Sequence, residues 1–405
     1  MADGLTSATQ TASTKLYRWW LSVIGIWLAT RISSTALFLL VARSQAENYW
    51  TGAAPGYFEY LNIWDSAWFE KVFNIGYPQT LPLDDSGFVA ENQWAFMPGF
   101  PVVVRLISTI TGLPWLYAAP LVSTLASFGF ALVAYRLITL RFNSAVALWS
   151  LVLIGLSPAS IVLQAGYAES LGLLLLVTGL YFWATNRYGL AALAILAMSV
   201  TRPGAVAFSM AVVGVLAWQW WQTRGDNSGA AWRDRIRLAG LAAATGISGF
   251  LWFGIAWLAT GRFDAYLATE LAWRRGYTGT DHLQLFQSWF VSADFWFGRG
   301  TGDLMVWALF AFALWLMFTP SVRNLGRVLV AFNAAYLLYL ALVFFPQSST
   351  IRILFPAFGL LVALGAKTAN SKPIVRYALI ALTLLLQLGW LLTCWRYSPP
   401  DFSPP

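Results

Sequence analysis

Long apolar runs alternate with short polar segments along the chain, and the length of these runs predicts transmembrane helices. A helix rises about 1.5 Å per residue, so about 20 mostly apolar residues cross the hydrocarbon core of a bilayer. By that measure the pattern, with interruptions at Pro203 and Pro356, predicts about eleven crossings. They lie near residues 17–43, 114–136, 145–165, 168–186, 188–203, 204–222, 238–260, 303–320, 328–346, 353–367 and 374–396.

Two longer segments separate the apolar runs, at 44–113 and 261–302. The first contains the stretches EYLNIWDSAWFEKVFNIGY and WAFMPGFPVVVRLISTI, whose Trp and Phe side chains predict helices that lie in the membrane interface. We therefore predict an all-α polytopic membrane protein. A single transmembrane domain at 17–396 is flanked by a cytoplasmic tail at 1–16 and a Pro-rich tail at 397–405.

Composition excludes a soluble protein, because 59% of the residues are hydrophobic and 10% are charged, where a soluble domain has about a quarter charged. The net charge of +8 would fit a nucleic-acid-binding protein only if it formed a basic face on a soluble fold. Here the basic residues lie in short loops between apolar runs, and no nucleic-acid partner is expected. The single cysteine, Cys394, excludes an intrachain disulfide framework and a cysteine-based metal site.

Lysine and arginine in short loops predict the orientation, since such loops stay in the cytoplasm. The basic residues that fall on one side are Lys15, Arg18, Arg136, Arg141, Arg187, Arg224, Arg233, Arg235, Arg237, Arg323, Arg327, Lys367, Lys372 and Arg376. The N-terminus is then cytoplasmic, and both long segments are extracytoplasmic. The chain contains no Asn-x-Ser/Thr sequon, which favours a bacterial plasma membrane over the endoplasmic reticulum.

Asp65 is the first candidate for chemistry, because it lies between bulky aromatic residues in IWDSAWFEKVFNIGYP shortly after the first span. A carboxylate that is partly desolvated there gains the basicity that general-base catalysis needs near neutral pH. The alternative is an N-terminal cap of an interfacial helix. Spacing alone does not separate the two.

Several motifs in chain order resemble the PIG-V-like mannosyltransferases, a branch of the membrane-embedded GT-C glycosyltransferases. They are Trp64-Asp65, Gly76-Tyr77-Pro78, the run FMPGFP at 96–101 with Arg105, the run SPASIVLQAGYAES with Tyr167 and Glu169, and Thr201-Arg202-Pro203-Gly204. Ser157 and Ala168 depart from the family pattern, and the Asn of its Thr-Arg-Pro-Asn-Gly motif is missing.

The resemblance implies an inverting mannosyltransferase at the outer face of the membrane. Its donor would be a polyprenyl-phosphate mannose and its acceptor a lipid-linked molecule or glycolipid, with membrane lipids around it. Asp65 would be the base that deprotonates the acceptor hydroxyl, and Trp64, Tyr167 and Glu169 would bind substrate or support the site. A lipid phosphate is a good leaving group that needs positive charge rather than a protonating acid. No cofactor and no metal are expected, and a partner subunit is left open.

Three arginines within or at the edge of apolar spans could supply that charge: Arg31, Arg202 and Arg352. A charge at such depth normally faces the protein interior or a polar cavity. Arg31 fits phosphate binding or a structural ion pair, for instance with Glu169. For Arg352, which follows the polar turn PQSST, we favour phosphate binding, and Arg202 precedes a proline that breaks its span.

The second long segment adds Arg274, Arg275 and His282 as candidates for contact with the donor phosphate or sugar, with Asp281 nearby. A lone loop histidine is more often a surface residue. The pair Asp84-Asp85 could suggest a metal site, but adjacent carboxylates without a histidine are more often a solvated turn.

Two other functions are alternatives to this one. One is a GT-C transferase for another sugar or for a protein acceptor. The other is a lipid-glycan flippase without transferase activity, although transporters often show paired repeats and the long first loop here is not repeated.

Overall fold

The computed structural model describes residues 2–222, 229–279, 282–399 and 405, and its regular structure there is helical. Parts of the two predicted tails, Met1 and 400–404, lie outside the described residues. The helices are α1 Ala2–Ala42, α2 Tyr57–Leu61, α3 Asp65–Ile75, α4 Gly99–Thr111, α5 Trp115–Ile138, α6 Ser144–Gly155, α7 Glu169–Ala184, α8 Tyr188–Ser199, α9 Ala205–Gln222, α10 Gly229–Ser248, α11 Leu251–Thr260, α12 Ala265–Thr278, α13 Gln287–Phe297, α14 Thr301–Phe318, α15 Pro320–Arg323, α16 Arg327–Val343, α17 Thr350–Ile353, α18 Gly359–Thr368 and α19 Pro373–Trp390. Short 3₁₀ turns lie at Gln93–Ala95, Ser160–Leu163 and Phe355–Ala357, and a π-turn at Leu391–Trp395 follows α19.

Apolar helices occur at every predicted span. Among the described residues, six helical segments are long and apolar enough to cross a membrane: Trp19–Ala42, Trp115–Ile138, Ala205–Gln222, Trp232–Thr260, Thr301–Phe318 and Pro373–Trp395. Shorter apolar helices, among them α6, α7, α8 and α16, account for the other predicted spans. The all-helical membrane class is confirmed, and the number of eleven crossings stays a prediction.

The predicted span at 145–165 is wrong beyond Gly155, where α6 ends. Pro158 has no amide hydrogen and cannot continue a helical hydrogen-bond ladder. The chain then passes through an irregular segment and the turn Ser160–Leu163 before α7 begins. Nearly all of this segment is buried in protein, which is where non-helical backbone is tolerated inside a membrane protein.

The break predicted at Pro203 is confirmed, since α8 ends at Ser199 and α9 begins at Ala205. The start of α4 packs directly against this break: the amide of Gly99 donates to the carbonyl of Val200 at 2.7 Å. A Cβ at position 99 would lie only 2.2 Å from Oγ1 of Thr201. Glycine is therefore required here, in place of a bulkier residue, for two backbone segments to meet.

Helices do form in the first long segment, as predicted, and α12 of the second long segment packs against them. Trp273 of α12 contacts both Trp68 of α3 and Phe96, with ring centroids 5.6 and 5.8 Å apart. Asn92 also donates to Thr269 of α12 at 3.0 Å. The two long segments therefore form one layer at the same end of the bundle.

Small residues allow the central helices to approach closely. Leu174 of α7 packs where a Cβ at Gly129 of α5 would stand, and Ile195 of α8 does the same at Gly179 of α7. Close packing over small residues is a main source of helix association in membranes, where the hydrophobic effect between helices is absent. These contacts pack α7 closely against both α5 and α8.

Candidate active site

Asp65 is the first residue of α3, and the preceding backbone directs its side chain. Trp64 has φ 61° and ψ −124°, a backbone conformation that residues other than glycine rarely adopt. Its indole N–H donates to the carbonyl of Trp395 at 2.7 Å, which anchors the turn. The capping alternative for Asp65 is wrong, because the N-cap position of α3 is Trp64 and carries no side-chain cap bond.

Arg352 contacts the Asp65 carboxylate. Its Nη1 donates to Oδ2 of Asp65 at 2.6 Å and to Oε1 of Glu169 at 2.6 Å. The Arg352 side chain is 7% exposed and that of Asp65 is 24% exposed, so the carboxylate is the part of this pair that a substrate can reach. The short helix α17, which follows α16, brings Arg352 to the N-terminal ends of α3 and α7.

Glu169 also binds a second arginine. Nη1 of Arg202 lies 3.0 Å from the same Oε1 of Glu169, whose side chain is 4% exposed. The four groups form a chain of alternating charge in the order Asp65, Arg352, Glu169, Arg202, and their formal charges cancel. Because burying charge is costly unless it is paired, this arrangement explains how four ionised groups are tolerated at the end of an apolar bundle.

Tyr167 supports the same centre. The backbone amide of Asp65 donates to its hydroxyl oxygen at 3.2 Å, and the Arg352 guanidinium lies 5.3 Å from its ring centroid. The ring also packs against Trp395 at 5.4 Å. Tyr167 therefore joins α3, α17 and the C-terminal turn, and these contacts hold Asp65 and Arg352 in place.

A cavity with about 460 Å³ of empty space, part of which is open solvent, adjoins the charged chain. Glu169, Arg202 and Arg352 supply charged groups to its lining, and most of the remaining wall is apolar. The apolar lining residues include Leu173, Leu176, Met198, Phe332 and Phe355. A cavity with cations among apolar walls suits an amphiphilic anion.

Arg31 lies apart from this centre, and the ion pair with Glu169 considered from the sequence is not formed. Its guanidinium donates to the backbone carbonyls of Ser160, at 2.6 Å, and Gly155. It also lies 5.1 Å from the ring centroid of Trp27. The carbonyls at the end of α6 have no helical partner, so Arg31 supplies hydrogen bonds where the helix stops. These contacts give Arg31 a structural role.

The arginines of α12 have different surroundings. Arg274 donates to the carbonyl of Val343 at 3.3 Å. Arg275 pairs with Asp84 at 2.9 Å and lies 4.3 Å from the ring centroid of Phe88, so it joins the two long segments. His282 is exposed, with its imidazole 3.2 Å from the amide of Gln284. Asp281 lies outside the described residues.

The Asp84-Asp85 pair forms a turn. The Asp84 carboxylate accepts the amides of Ser86 and Phe88, at 2.9 and 3.0 Å, as well as Arg275. Within the described ranges, no group of three or more His, Cys, Asp or Glu side chains could hold a metal ion. The absence of a metal from the reaction stays an expectation.

Glu270, on α12, was not among the site residues predicted from the sequence. The Tyr266 hydroxyl hydrogen-bonds to it, and it is close enough to Asp65 for the two charges to interact. Burial raises the pKa of Glu270, although the Tyr266 bond and the charges of Arg274 and Arg202 oppose the change. Burial also lowers the pKa of Arg274. The four-residue spacing of Glu270 and Arg274 was a signal for a helical ion pair.

Apolar helices that could cross a membrane, together with a buried charged network beside a cavity at one end of the bundle, define an integral membrane protein with a polar site among its helices. Residues 26–224, just under half of the chain, match the family of mannosyltransferases described as "Mannosyltransferase (PIG-V)". The resemblance to the PIG-V family is confirmed over this part of the chain. The matched range contains Asp65, Glu169 and Arg202, whereas Arg352 lies beyond it.

Solved structures of an oligosaccharyltransferase from Archaeoglobus fulgidus are also similar. The structure tethered to an acceptor peptide is 12% identical, with a TM-score of 0.49 over 93% of this chain and 55% of that protein. AglB from the same organism, in complex with an inhibitory peptide and a dolichol-phosphate, is 14% identical, with a TM-score of 0.44 over 93% and 55%. This chain spans about half the length of these proteins, and similarity at this level supports no assignment. No curated protein matches the sequence.

Proposed function

We propose that the protein is a GT-C glycosyltransferase that transfers mannose, with inversion, from a polyprenyl-phosphate mannose to a lipid-linked or glycolipid acceptor at the outer face of a bacterial plasma membrane. The observation that carries the proposal is the contact between Asp65 and Arg352 beside the cavity. Asp65 lies within the residues that match the PIG-V family, and the basic loops predict that this end of the bundle lies outside the cell.

In the proposed reaction an acceptor hydroxyl attacks the anomeric carbon of mannose. Asp65 takes the hydroxyl proton while the bond from that carbon to the phosphate oxygen breaks. The electron pair of this bond leaves with the polyprenyl phosphate. A single displacement inverts the anomeric centre, so a β-linked donor gives an α-linked mannoside.

Two arginines would stabilise the leaving group. As the bond breaks, negative charge grows on the phosphate, and fixed cations in a site with little water stabilise it strongly. Arg352 can bind two phosphate oxygens through its planar guanidinium, and Arg202 lines the same cavity. The neighbouring apolar walls suit the first isoprene units of the lipid.

Arg352 is bound to Asp65 in the structure. A donor phosphate brings a competing anion, which would weaken the hold of Arg352 on Asp65 and leave that carboxylate available to the acceptor hydroxyl. The 24% exposure of the Asp65 side chain is compatible with access from the outer surface.

Transfer by purified protein tests the proposal, with polyprenyl-phosphate mannose as donor and an extract of membrane glycolipids as acceptor. Asp65→Asn should bind donor normally and lose about 10²- to 10⁴-fold in transfer, because Asn is nearly isosteric but cannot accept the proton. Asp85→Asn, in the exposed turn, is the matched control. Equal transfer by Asp65→Asn and by the control would refute the role of Asp65 as base.

Arg352 variants test the phosphate assignment in the same assay. Arg352→Ala should lose most transfer and bind polyprenyl phosphate weakly, whereas Arg352→Lys should retain part of both, because it keeps the charge and loses the planar fork. A folded Arg352→Ala protein that binds polyprenyl phosphate normally would contradict this role. Transport of a lipid glycan without any transfer by the wild type would indicate a flippase.

A further inference from the structure

One carboxylate oxygen at the centre of the site serves two arginines. Oε1 of Glu169 accepts from Nη1 of Arg352 at 2.6 Å and lies 3.0 Å from Nη1 of Arg202. The three side chains come from separate elements: α7, the α8–α9 turn and α17. Glu169 is therefore the point at which these elements are joined by charge.

The surroundings of Glu169 are shaped around this contact. Glu169 is the first residue of α7, and Gly172, one turn later, lies against the Arg202 side chain. A Cβ at position 172 would stand 2.9 Å from Cγ of Arg202. Glycine at this position lets the stem of Arg202 lie along α7, so that its guanidinium reaches Glu169.

Without the carboxylate, the two guanidinium groups would repel each other. At the short separations imposed by a shared oxygen, repulsion between unit charges is substantial in a poorly solvated site. Arg202 is 22% exposed and would move toward water, whereas Arg352 would keep Asp65 as its partner. The guanidinium groups of Arg202 and Arg352 would then no longer be directed at the same position.

The charged network contains polar atoms that its own hydrogen bonds do not satisfy. Among the described residues, Nε of Arg352 and Oε2 of Glu169 are buried without a hydrogen-bond partner. The Nη1 atom of Arg352 is fixed by two carboxylates, while Nε belongs to the edge of the guanidinium that can bind a phosphate with two parallel hydrogen bonds. A network that served only stability would gain by satisfying these atoms.

We infer that Glu169 is a positioning residue that holds Arg352 and Arg202 together as one phosphate-binding pair. This inference rests on the proposed transfer from a lipid phosphate. Glu169 itself does not contact the reacting atoms. It fixes the direction of the two cations and offsets one of their charges, so that they are in place before the charge on the leaving phosphate grows.

Glu169→Gln and Glu169→Ala test the inference, and Glu47→Gln, at an exposed carboxylate, is the control. Glutamine keeps an acceptor oxygen with a weaker bond to arginine, and alanine removes it. We expect kcat to fall about tenfold in Glu169→Gln and about 10²-fold in Glu169→Ala, the size of effect that follows a displacement of about 1 Å. Binding of polyprenyl phosphate to Glu169→Gln should stay within about threefold, below 1 kcal/mol, because both cations remain.

A double-mutant cycle separates positioning from a general structural role. In an Arg352→Lys background, Glu169→Gln should cost much less than in the wild type, because the pair is already disturbed. Three results would overturn the inference: unchanged kcat in Glu169→Gln, additive effects in the cycle, or a lowered Tm with normal kcat for the folded fraction. If the wild type neither binds polyprenyl phosphate nor transfers sugar, the proposed function fails instead.

Discussion

At the residue scale, the backbone conformation of Trp64 positions Asp65. A non-glycine residue in its conformation costs about 1–3 kcal/mol, and such strain persists only where surrounding contacts impose it. Here the indole bond to the Trp395 carbonyl and the contact with Trp50, with ring centroids 4.8 Å apart, impose it. The strain turns the chain so that Asp65 begins α3 facing Arg352.

Gly172 gives a prediction at the same scale. In Gly172→Ala the new methyl group should displace the Arg202 side chain from Glu169, because Cγ of Arg202 lies 2.9 Å from the ideal Cβ position. We expect transfer to fall about tenfold through misplacement of one cation. Tm should change little, because alanine is more favourable than glycine in a helix by up to about 1 kcal/mol, which offsets the weakened ion pair.

The control for this variant is Gly189→Ala in α8, where no atom lies within 4 Å of the ideal Cβ position. It makes the same chemical change in a helix and should transfer at the wild-type rate. If Gly172→Ala also transferred normally, the placement of Arg202 by α7 would not matter for the reaction.

At the element scale, α12 packs on the first long segment, which carries Asp65. Trp252 of α11 continues this layer, with its indole N–H donating to the carbonyl of Trp94 at 2.9 Å. Arg275 also joins α12 to the first long segment, through its ion pair with Asp84 and its contact with the ring of Phe88. Glu270 and Tyr266, on the same helix, lie on the side toward Asp65 and Arg202.

Arg275→Ala tests whether Arg275 joins the two segments or binds the donor phosphate, as the sequence suggested. A partly exposed ion pair contributes about 0.2–1 kcal/mol and a cation–π contact about 0.5–1 kcal/mol. We expect faster amide hydrogen exchange at residues 84–89, with polyprenyl phosphate binding within about threefold of wild type. Arg262→Ala, which breaks the exposed pair with Asp264, is the control. Loss of phosphate binding in Arg275→Ala alone would make it a donor ligand.

At the scale of the whole molecule, the contacts between α3, α7, α17 and the α8–α9 turn bring residues distant in sequence to one end of the bundle. The distribution of basic loops predicts that this end is extracytoplasmic. Acceptor, lipid phosphate and the charged network would then meet at the outer leaflet.

Single cysteines test this orientation in a Cys394→Ser background. Asp85→Cys and Leu285→Cys, both exposed, should react with an impermeant thiol reagent in intact cells, because both belong to the long segments. Arg187→Cys, in a short basic loop, should react only after the membrane is permeabilised. The reverse pattern would place the charged network in the cytoplasm and contradict the outer-face model.

The apolar pattern located the helices well because hydrophobic length is a local property of a chain in a bilayer. It also located the break at Pro203, since proline in the interior of a helix removes one of the helical hydrogen bonds. It failed beyond Gly155, where burial in protein, invisible in the sequence, permits irregular backbone. Asp65, Arg202 and Arg352 were found as unusual charges in apolar surroundings, but Glu270 lies in a loop helix where a carboxylate is ordinary.

The sequence by itself therefore determined the membrane class, the helix positions and the candidate charges, because each depends on residues near one another in the chain. Only the tertiary structure decided which charges meet. Arg352 binds Asp65 across 287 positions and Glu169 across 183, while Arg31 is bound to carbonyls at the end of α6. An ion pair depends on how the helices pack. That packing brings Arg352 to the two carboxylates, whereas it brings Arg31 to backbone carbonyls where α6 ends.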